Sequence, residues 1–346
     1  MNTSEMRGPE IAGPTTKGAA SRNRKTARLR DYLSLARFDH ATKHVFVIPG
    51  LILAYALREP SLLDAPARIV IGFVVAIAIA SANYIINEWL DRESDAHHPS
   101  KHHRTAVSLQ LSPALVYLQY TVFAAFGLAL ATSLGSAFFT VAVVFLVSGI
   151  VYNVRPLRSK DRPFLDVVSE SVNNPIRLTL GWLMMDPSSM PPASLLLAYW
   201  AGGAFLMGSK RLSEYRDITA MVGIETLTRY RKSFAGYTAE SLVVSCLVYA
   251  MLSSFFLGVF LIKYRVEYIL AFPFIAGLFG CYLWLSMLRD SIAQRPERMF
   301  RSRRLMTTLG ITVGVLLLLS FVDLPSLTAL SNRSFTPVDM LPGHGK

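Results

Sequence analysis

"IVIGFVVAIAIASANYII", residues 69–86, runs directly into "NEWLDRESDAHHPSKHHR", residues 87–104. The first stretch holds eighteen residues without a charge, enough to cross a bilayer core as a helix. The second places four acidic side chains, several histidines, a lysine and arginines where that helix leaves lipid. Ionisable groups at such a boundary are expensive and point to function.

Working outward, the 346-residue chain is 52% hydrophobic and 17% charged, too apolar for a soluble domain and too long for a single anchor. Nine apolar stretches have membrane-spanning character, at about 44–58, 69–90, 112–132, 134–152, 164–185, 194–212, 241–262, 266–288 and 305–322. The first is short and holds Pro49 and Gly50. The pattern predicts an all-α integral membrane protein, a nine-transmembrane-helix bundle forming one domain over 29–322. Residues 1–28, basic and rich in Ser, Thr and Gly, read as a disordered tail with no cleavable signal peptide. Residues 323–346 form a short C-terminal tail. In "RLRDYLSLARF", residues 28–38, Leu29, Tyr32, Leu33 and Ala36 recur at helical spacing between arginines, which suits a helix lying on the membrane surface.

The net charge of +12 could suggest nucleic acid, but its distribution argues for membrane topology. With the N-terminus inside, 28 of the 35 Lys and Arg residues fall on inward segments, the bias expected of cytoplasmic loops. This places the N-terminus in the cytoplasm and the C-terminus outside, in a bacterial inner membrane, with no nucleic-acid partner. The outward loops, such as "SLGS" at 133–136, are tiny, so the recognisable chemistry gathers on the cytoplasmic face. Cys246 and Cys281 lie within spans, without metal-type spacing.

Asn87, Asp91 and Asp95 recur every four residues, so a helix continuing past the membrane surface aims them the same way. Carboxylates one turn apart repel unless a cation joins them. Magnesium takes one or two protein carboxylates and completes its shell with water and phosphate oxygens. The pattern therefore predicts a magnesium–phosphate site at the rim. Pro99 would turn the chain back, bringing Lys101 and Arg104 to the acidic face as phosphate ligands. His97, His98, His102 and His103 lack zinc-ligand spacing; His98 alone is kept as a phosphate donor. The plain alternative is a solvated helix end laced with salt bridges.

A second cluster, "GSKRLSEYRD" at 208–217, carries Lys210, Arg211, Glu214 and Asp217. Here a simple Lys210–Glu214 helix pair competes with a metal or phosphate role. Between the clusters, "RPLRSKDRPFLDVVSESVNNPIRL" at 155–178 aligns Asp166, Glu170, Asn173, Asn174 and Arg177 at three- and four-residue steps. Arg177 falls inside an apolar run and needs a partner, Asp166, Glu170 or a ligand anion; a structural ion pair competes with function there.

These residues resemble the UbiA-type intramembrane prenyltransferase superfamily. "N-x3-D-x3-D" at Asn87, Asp91 and Asp95 is similar to its first aspartate-rich motif, and "KRLSEYRD" falls where it has its second. The continuation through Lys101 and Arg104, the Lys210, Arg211, Glu214 set and the Lys160, Asp166, Arg177 spacing resemble its polyprenyl-phosphate phosphoribosyltransferase branch. Glu88, Thr105 and Leu212-Ser213 depart from that pattern. The resemblance implies a UbiA-like bundle with cytoplasmic active-site loops and a magnesium-dependent transferase. Asn87, Asp91 and Asp95 would hold one metal, and Glu214 and Asp217 a second. Lys43, His98, Lys101, Arg104, Lys160 and Arg211 would bind phosphate. Asp166, Arg177, Lys210 and Glu214 would be catalytic, with Tyr84 or Trp89 shielding an allylic cation. The implied partners are membrane lipid, an isoprenoid phosphate or diphosphate, and a small acceptor or phosphorylated sugar donor. Two enzymatic readings stay open, prenyl transfer and phosphoribosyl transfer to a polyprenyl phosphate. A transporter competes with both, although the polar clusters lie at one rim and not at the midplane.

Overall fold

The computed structural model describes residues 26–98, 101–288, 291, 293 and 302–327, apart from the side chains of 39–43 and 222. The expectations for Lys43, for Pro99, and for most of both tails lie outside the described residues.

The chain opens with α1 (Leu29–Leu35), then a 3-10 segment leads into α2 (Ile48–Arg58). α3 (Ala65–Asp95) has 31 residues; at about 1.5 Å per residue it overreaches a hydrocarbon core of about 30 Å. Its last turns therefore stand at the rim, carrying Asn87, Asp91 and Asp95 there on an unbroken helix. The one-turn α4 (Thr105–Ser108), α5 (Pro113–Ala131) and α6 (Ser136–Asn153) follow. Next come α7 (Leu165–Ser171), α8 (Asn173–Met185), α9 (Ala193–Val222), α10 (Ile224–Tyr230), α11 (Ala239–Ile262), α12 (Phe272–Met287) and α13 (Arg303–Phe321).

Among the described residues six helices are long and apolar enough to cross a membrane, and a shorter apolar helix covers His44–Arg58. The expected span 164–185 is two helices, meeting at Val172. Pro175 supplies the reason: it has no N–H and its ring crowds the carbonyl four residues back. Asn173 Nδ2 donates to the Glu170 carbonyl at 3.0 Å across the junction. The expected span 194–212 lies within the 30-residue α9, whose C-terminal half holds the second charged cluster.

α9 packs chiefly on α11 and α3 chiefly on α5. The main core joins α3, α6 and α8 through Val75, Ile79, Phe138, Phe145, Ile176 and Leu180. α2 and α8 touch backbone to backbone: a Cβ on Gly50 would lie 2.0 Å from the Leu178 carbonyl oxygen, and one on Gly181 2.0 Å from that of Val47. Such contact holds helices together where lipid offers no hydrophobic drive.

Candidate active site

At the end of α3, Asn87 Nδ2 donates to Asn153 Oδ1 at 2.6 Å and to Asp91 Oδ2 at 3.3 Å. That leaves the Asn87 amide oriented by two acceptors, with its carbonyl available as a ligand. Asp91 is ion-paired with Arg158 at 3.0 Å and with Lys160, whose Nζ also reaches Asn153 Oδ1 at 2.7 Å. Asp95 is ion-paired with Arg104. Glu88 points elsewhere: it pairs with Arg37 at 2.8 Å and accepts from the Ala106 backbone N–H.

The second cluster is built around Arg211, 2% exposed. Its guanidinium bridges Asp166 at 3.1 Å, Glu170 at 2.9 Å and Glu214 at 3.1 Å. Glu214 is thus bound by Arg211, three residues before it, with the Lys210 charge acting on it as well. Arg231 binds Asp166 at 3.1 Å and accompanies Glu170. Asp166, fully buried, also accepts from Ser233 at 3.0 Å and from the Tyr237 hydroxyl. Tyr152 donates to Glu170 at 2.8 Å. Carboxylates on α7 and α9 are therefore tied to cations on α9 and on the chain after α10. A buried charge needs this degree of compensation.

The two clusters meet across His98, Lys101 and Tyr230. The His98 and Tyr230 rings are 4.3 Å apart, and Lys101 Nζ sits 5.7 Å from the Tyr230 ring centre. Burial pulls the Lys101 ammonium down to about 8, with Glu214 and Asp95 both acting to keep it charged. Burial likewise holds His98 neutral, at about 3, and the Lys101 charge adds to that. Lys160 falls to about 8 through burial, opposed by Asp91. So two acidic groups more than a hundred residues apart share one cationic neighbourhood at one end of the bundle.

The expected partners of Arg177 are engaged elsewhere. Asp166 and Glu170 are held by Arg211 and Arg231, and Arg177 instead lies over the Phe145 ring at 5.2 Å, beside Tyr84 and Tyr199. Trp89 stacks under Arg92 at 4.0 Å. Sequence reasoning passed over Arg158, Arg231 and Asn153. The first two sat in loops already recognised as basic, and Asn153 closes an apolar span where an amide reads as a boundary residue.

The donor set suits magnesium of a particular kind. Asn87, Asp91 and Asp95 offer hard oxygens on one helical face, and magnesium needs only one or two carboxylates when phosphate completes its shell. No group of three or more His, Cys, Asp or Glu able to hold a metal occurs among the described residues, so a caged, all-protein site is not what these residues build.

Below the charged rim lies an apolar cavity of about 350 Å³ between α8, α9, α11, α12 and α13. Phe205, Leu206, Leu257, Leu278 and Leu309 line it, with Asn174, Tyr199, Ser253 and Tyr282 among its polar-bearing residues. Leu206 lies one helical turn from Lys210, which places the cavity beneath the second cluster.

The UbiA prenyltransferase family model matches residues 46–323. A UbiA homolog from Archaeoglobus fulgidus, solved bound to DMAPP and Mg2+, superposes with a TM-score of 0.61 at 18% identity, covering 84% of this chain and 100% of that one. A structure of digeranylgeranylglyceryl phosphate synthase gives 0.54 at 16% identity, covering 84% and 96%. Among curated relatives, the uncharacterized protein y4nM of Sinorhizobium fredii is 29% identical over 160 residues, 46% of this chain and 30% of that protein. The nodulation protein NoeC of Azorhizobium caulinodans is 30% identical over 122 residues, 35% and 38%. The chain spans about a third of the length of these curated relatives. The matched family model covers α2 to α13, both charged clusters and the cavity beneath the second, and the chain belongs to the UbiA prenyltransferase family.

Proposed function

We propose that the chain is a magnesium-dependent membrane transferase moving a prenyl group from a polyprenyl diphosphate to a small acceptor. One observation carries this reading: His98 and Lys101, which follow the first cluster, pack on Tyr230, whose neighbour Arg231 binds Asp166 of the second, so the two clusters serve one anionic headgroup. Asp91 and Asp95, with the Asn87 carbonyl, are the ligands for magnesium, which when bound neutralises diphosphate charge. Lys101, Arg104, Arg158 and Lys160 bind the phosphate oxygens, and neutral His98 donates a hydrogen bond. Lys210 and Glu214 complete the rim, with Asp217 beyond them, while Arg211 fixes Glu214 and Asp166 in place. Stabilising the departing diphosphate favours heterolysis of the allylic C–O bond, the electron pair leaving with oxygen. The acceptor then attacks the allylic carbon and gives up a proton. The apolar cavity takes the isoprenoid chain, and Arg177, beside Tyr199, orients the acceptor. Nine crossings with the clusters facing the cytoplasm suit this arrangement, α2, α7–α8 and α9 completing the six longer apolar helices.

A second reading has its own support. Arg211 engages three carboxylates in the second cluster, which leaves less acidity for a second metal, and Lys210 beside them suits a second phosphorylated substrate. On that reading a polyprenyl phosphate accepts phosphoribose from phosphoribosyl diphosphate. Purified protein supplied with radiolabelled geranyl diphosphate and an acceptor mixture is expected to release diphosphate only with magnesium. Turnover of phosphoribosyl diphosphate with a polyprenyl phosphate, and none of geranyl diphosphate, selects the second reading. Turnover of neither removes both.

A further inference from the structure

The short helix α1 is connected to the site through an unusual number of side-chain bonds. Its buried Tyr32 accepts from the Ser112 backbone N–H at 2.8 Å, and Gln119 Nε2 donates to the Tyr32 carbonyl at 2.9 Å. Ser34 and Thr105 share a hydroxyl bond of 2.7 Å. Arg37 pairs with Glu88, and Glu88 also receives the Ala106 N–H. These bonds flank Arg104, the cation that meets Asp95. α1 is thus a brace on the segment 104–112.

Its other face is uncovered. Leu29 is 80% and Leu33 55% exposed, and Phe38 just beyond is 52% exposed. Arg28 and Arg30, both exposed, flank Leu29, and Asp31 lies 3.9 Å from Arg30 while capping the helix at the Arg28 N–H. Phe38 also touches Phe123 of α5 at 6.0 Å between ring centres, and Leu118, Val122 and Phe126 of α5 are exposed in turn. The apolar strip of α1 is therefore continuous with the lipid-facing side of a membrane-crossing helix. Apolar residues edged by arginines at the end of such a helix suit the acyl boundary and the anionic headgroups above it.

We propose that α1 seats on anionic phospholipid headgroups and that this seating holds the Arg104 segment against Asp95. Leu29 and Leu33 enter the acyl boundary, Arg28 and Arg30 engage headgroup phosphates, and the Ser34–Thr105 and Arg37–Glu88 bonds carry the position inward. The seating is independent of the chemistry; its consequence for turnover rests on the transferase reading.

The test uses the full chain in nanodiscs of phosphatidylcholine alone, or mixed with phosphatidylglycerol. A fluorophore on Leu33→Cys, with Cys246 and Cys281 changed to Ser, is expected to be quenched by brominated acyl chains. A label that stays unquenched, or that is shielded by a second copy of the chain, overturns the seating. Amide exchange over 104–112 is expected to slow roughly fivefold in the anionic discs, a response lost in the double variant Arg28→Glu, Arg30→Glu. Ser34→Ala with Thr105→Val should keep the quenching and lose much of the protection. Equal exchange in both discs, or a protection indifferent to these variants, overturns the coupling. Exchange is read whether or not geranyl diphosphate turns over, so a failure of the transferase reading is distinguishable from a failure of this one. If turnover is seen, the KM for geranyl diphosphate should fall in parallel with the exchange rate.

Discussion

The two charged clusters use the same residue types for different physical ends. Asp91 and Asp95 stand on consecutive turns of one helix and are met by cations from loops: Arg158, Lys160 and Arg104. Asp166, Glu170 and Glu214 come from two helices and converge on the fully enclosed Arg211. On the proposed reading the first group can release its cations to a diphosphate, Arg104 and Arg158 keeping 18% and 17% side-chain exposure against 2% for Arg211. The second cannot, because every carboxylate there is held by more than one donor or shares its cation. On the proposed reading the site has a locked half, which fixes helices, and an adaptable half, which takes the ligand.

Removing Arg211 should have the largest effect. Arg211→Met leaves three carboxylates without their shared cation, and breaking a buried pair costs about 3–5 kcal/mol. A large fall in Tm in detergent is expected, together with loss of α7 protection from proteolysis. An unaltered Tm would mean that the cluster is not locked as described.

Asp91→Asn should separate the halves in the opposite sense. It removes a carboxylate outside the Arg211 network, so Tm should fall less than in Arg211→Met, although Arg158 and the buried Lys160 lose their shared partner. Turnover should fall roughly a hundredfold to a thousandfold, the scale of losing one electrostatic contact to the reacting group. The loss should not be recovered by raising magnesium. A Tm fall as large as that of Arg211→Met, with retained turnover, would reverse the assignment of the two halves.

The difference between the clusters also explains what could be read from sequence. Asn87, Asp91 and Asp95 were legible because a single helix fixes their relation: a period of four residues is geometry in itself. The junction at Val172 was available in principle, since Pro175 forbids an undisturbed helix, but the apolar run around it masked the signal. The resemblance places Arg211 among the phosphate ligands, but its engagement with Asp166 and Glu170 is not legible in the sequence, because those partners are set by how α7 packs on α9. Arg231 is the extreme case. It reaches Asp166 from 65 residues away, and nothing in "RYRKSF" at 229–234 distinguishes it from the neighbouring Arg229 and Lys232. The buried Glu88 shows the limit within one helix: it adjoins Asn87 in sequence but faces α1 and not the ligand side.

Lys101 joins the two halves, and its titration gives the smallest and most diagnostic effect. Burial sets its ammonium at about 8 against an ordinary value of 10.5. Between these values the unfolded chain holds a proton that the folded chain gives up, so this group makes stability rise with pH over that window. Phosphate binding has the opposite sign, because the neutral amine no longer attracts the anion. Lys101→Met should lower kcat/KM about tenfold near pH 7, and the gap to the unsubstituted protein should narrow as pH rises through about 8. Over the same range the unsubstituted protein should gain thermal stability relative to the variant. A rate gap that stays constant to pH 9.5, well above the shifted value, would mean that Lys101 acts through packing against Tyr230 alone. The link between the locked and adaptable halves would then have to run through His98 or Lys210.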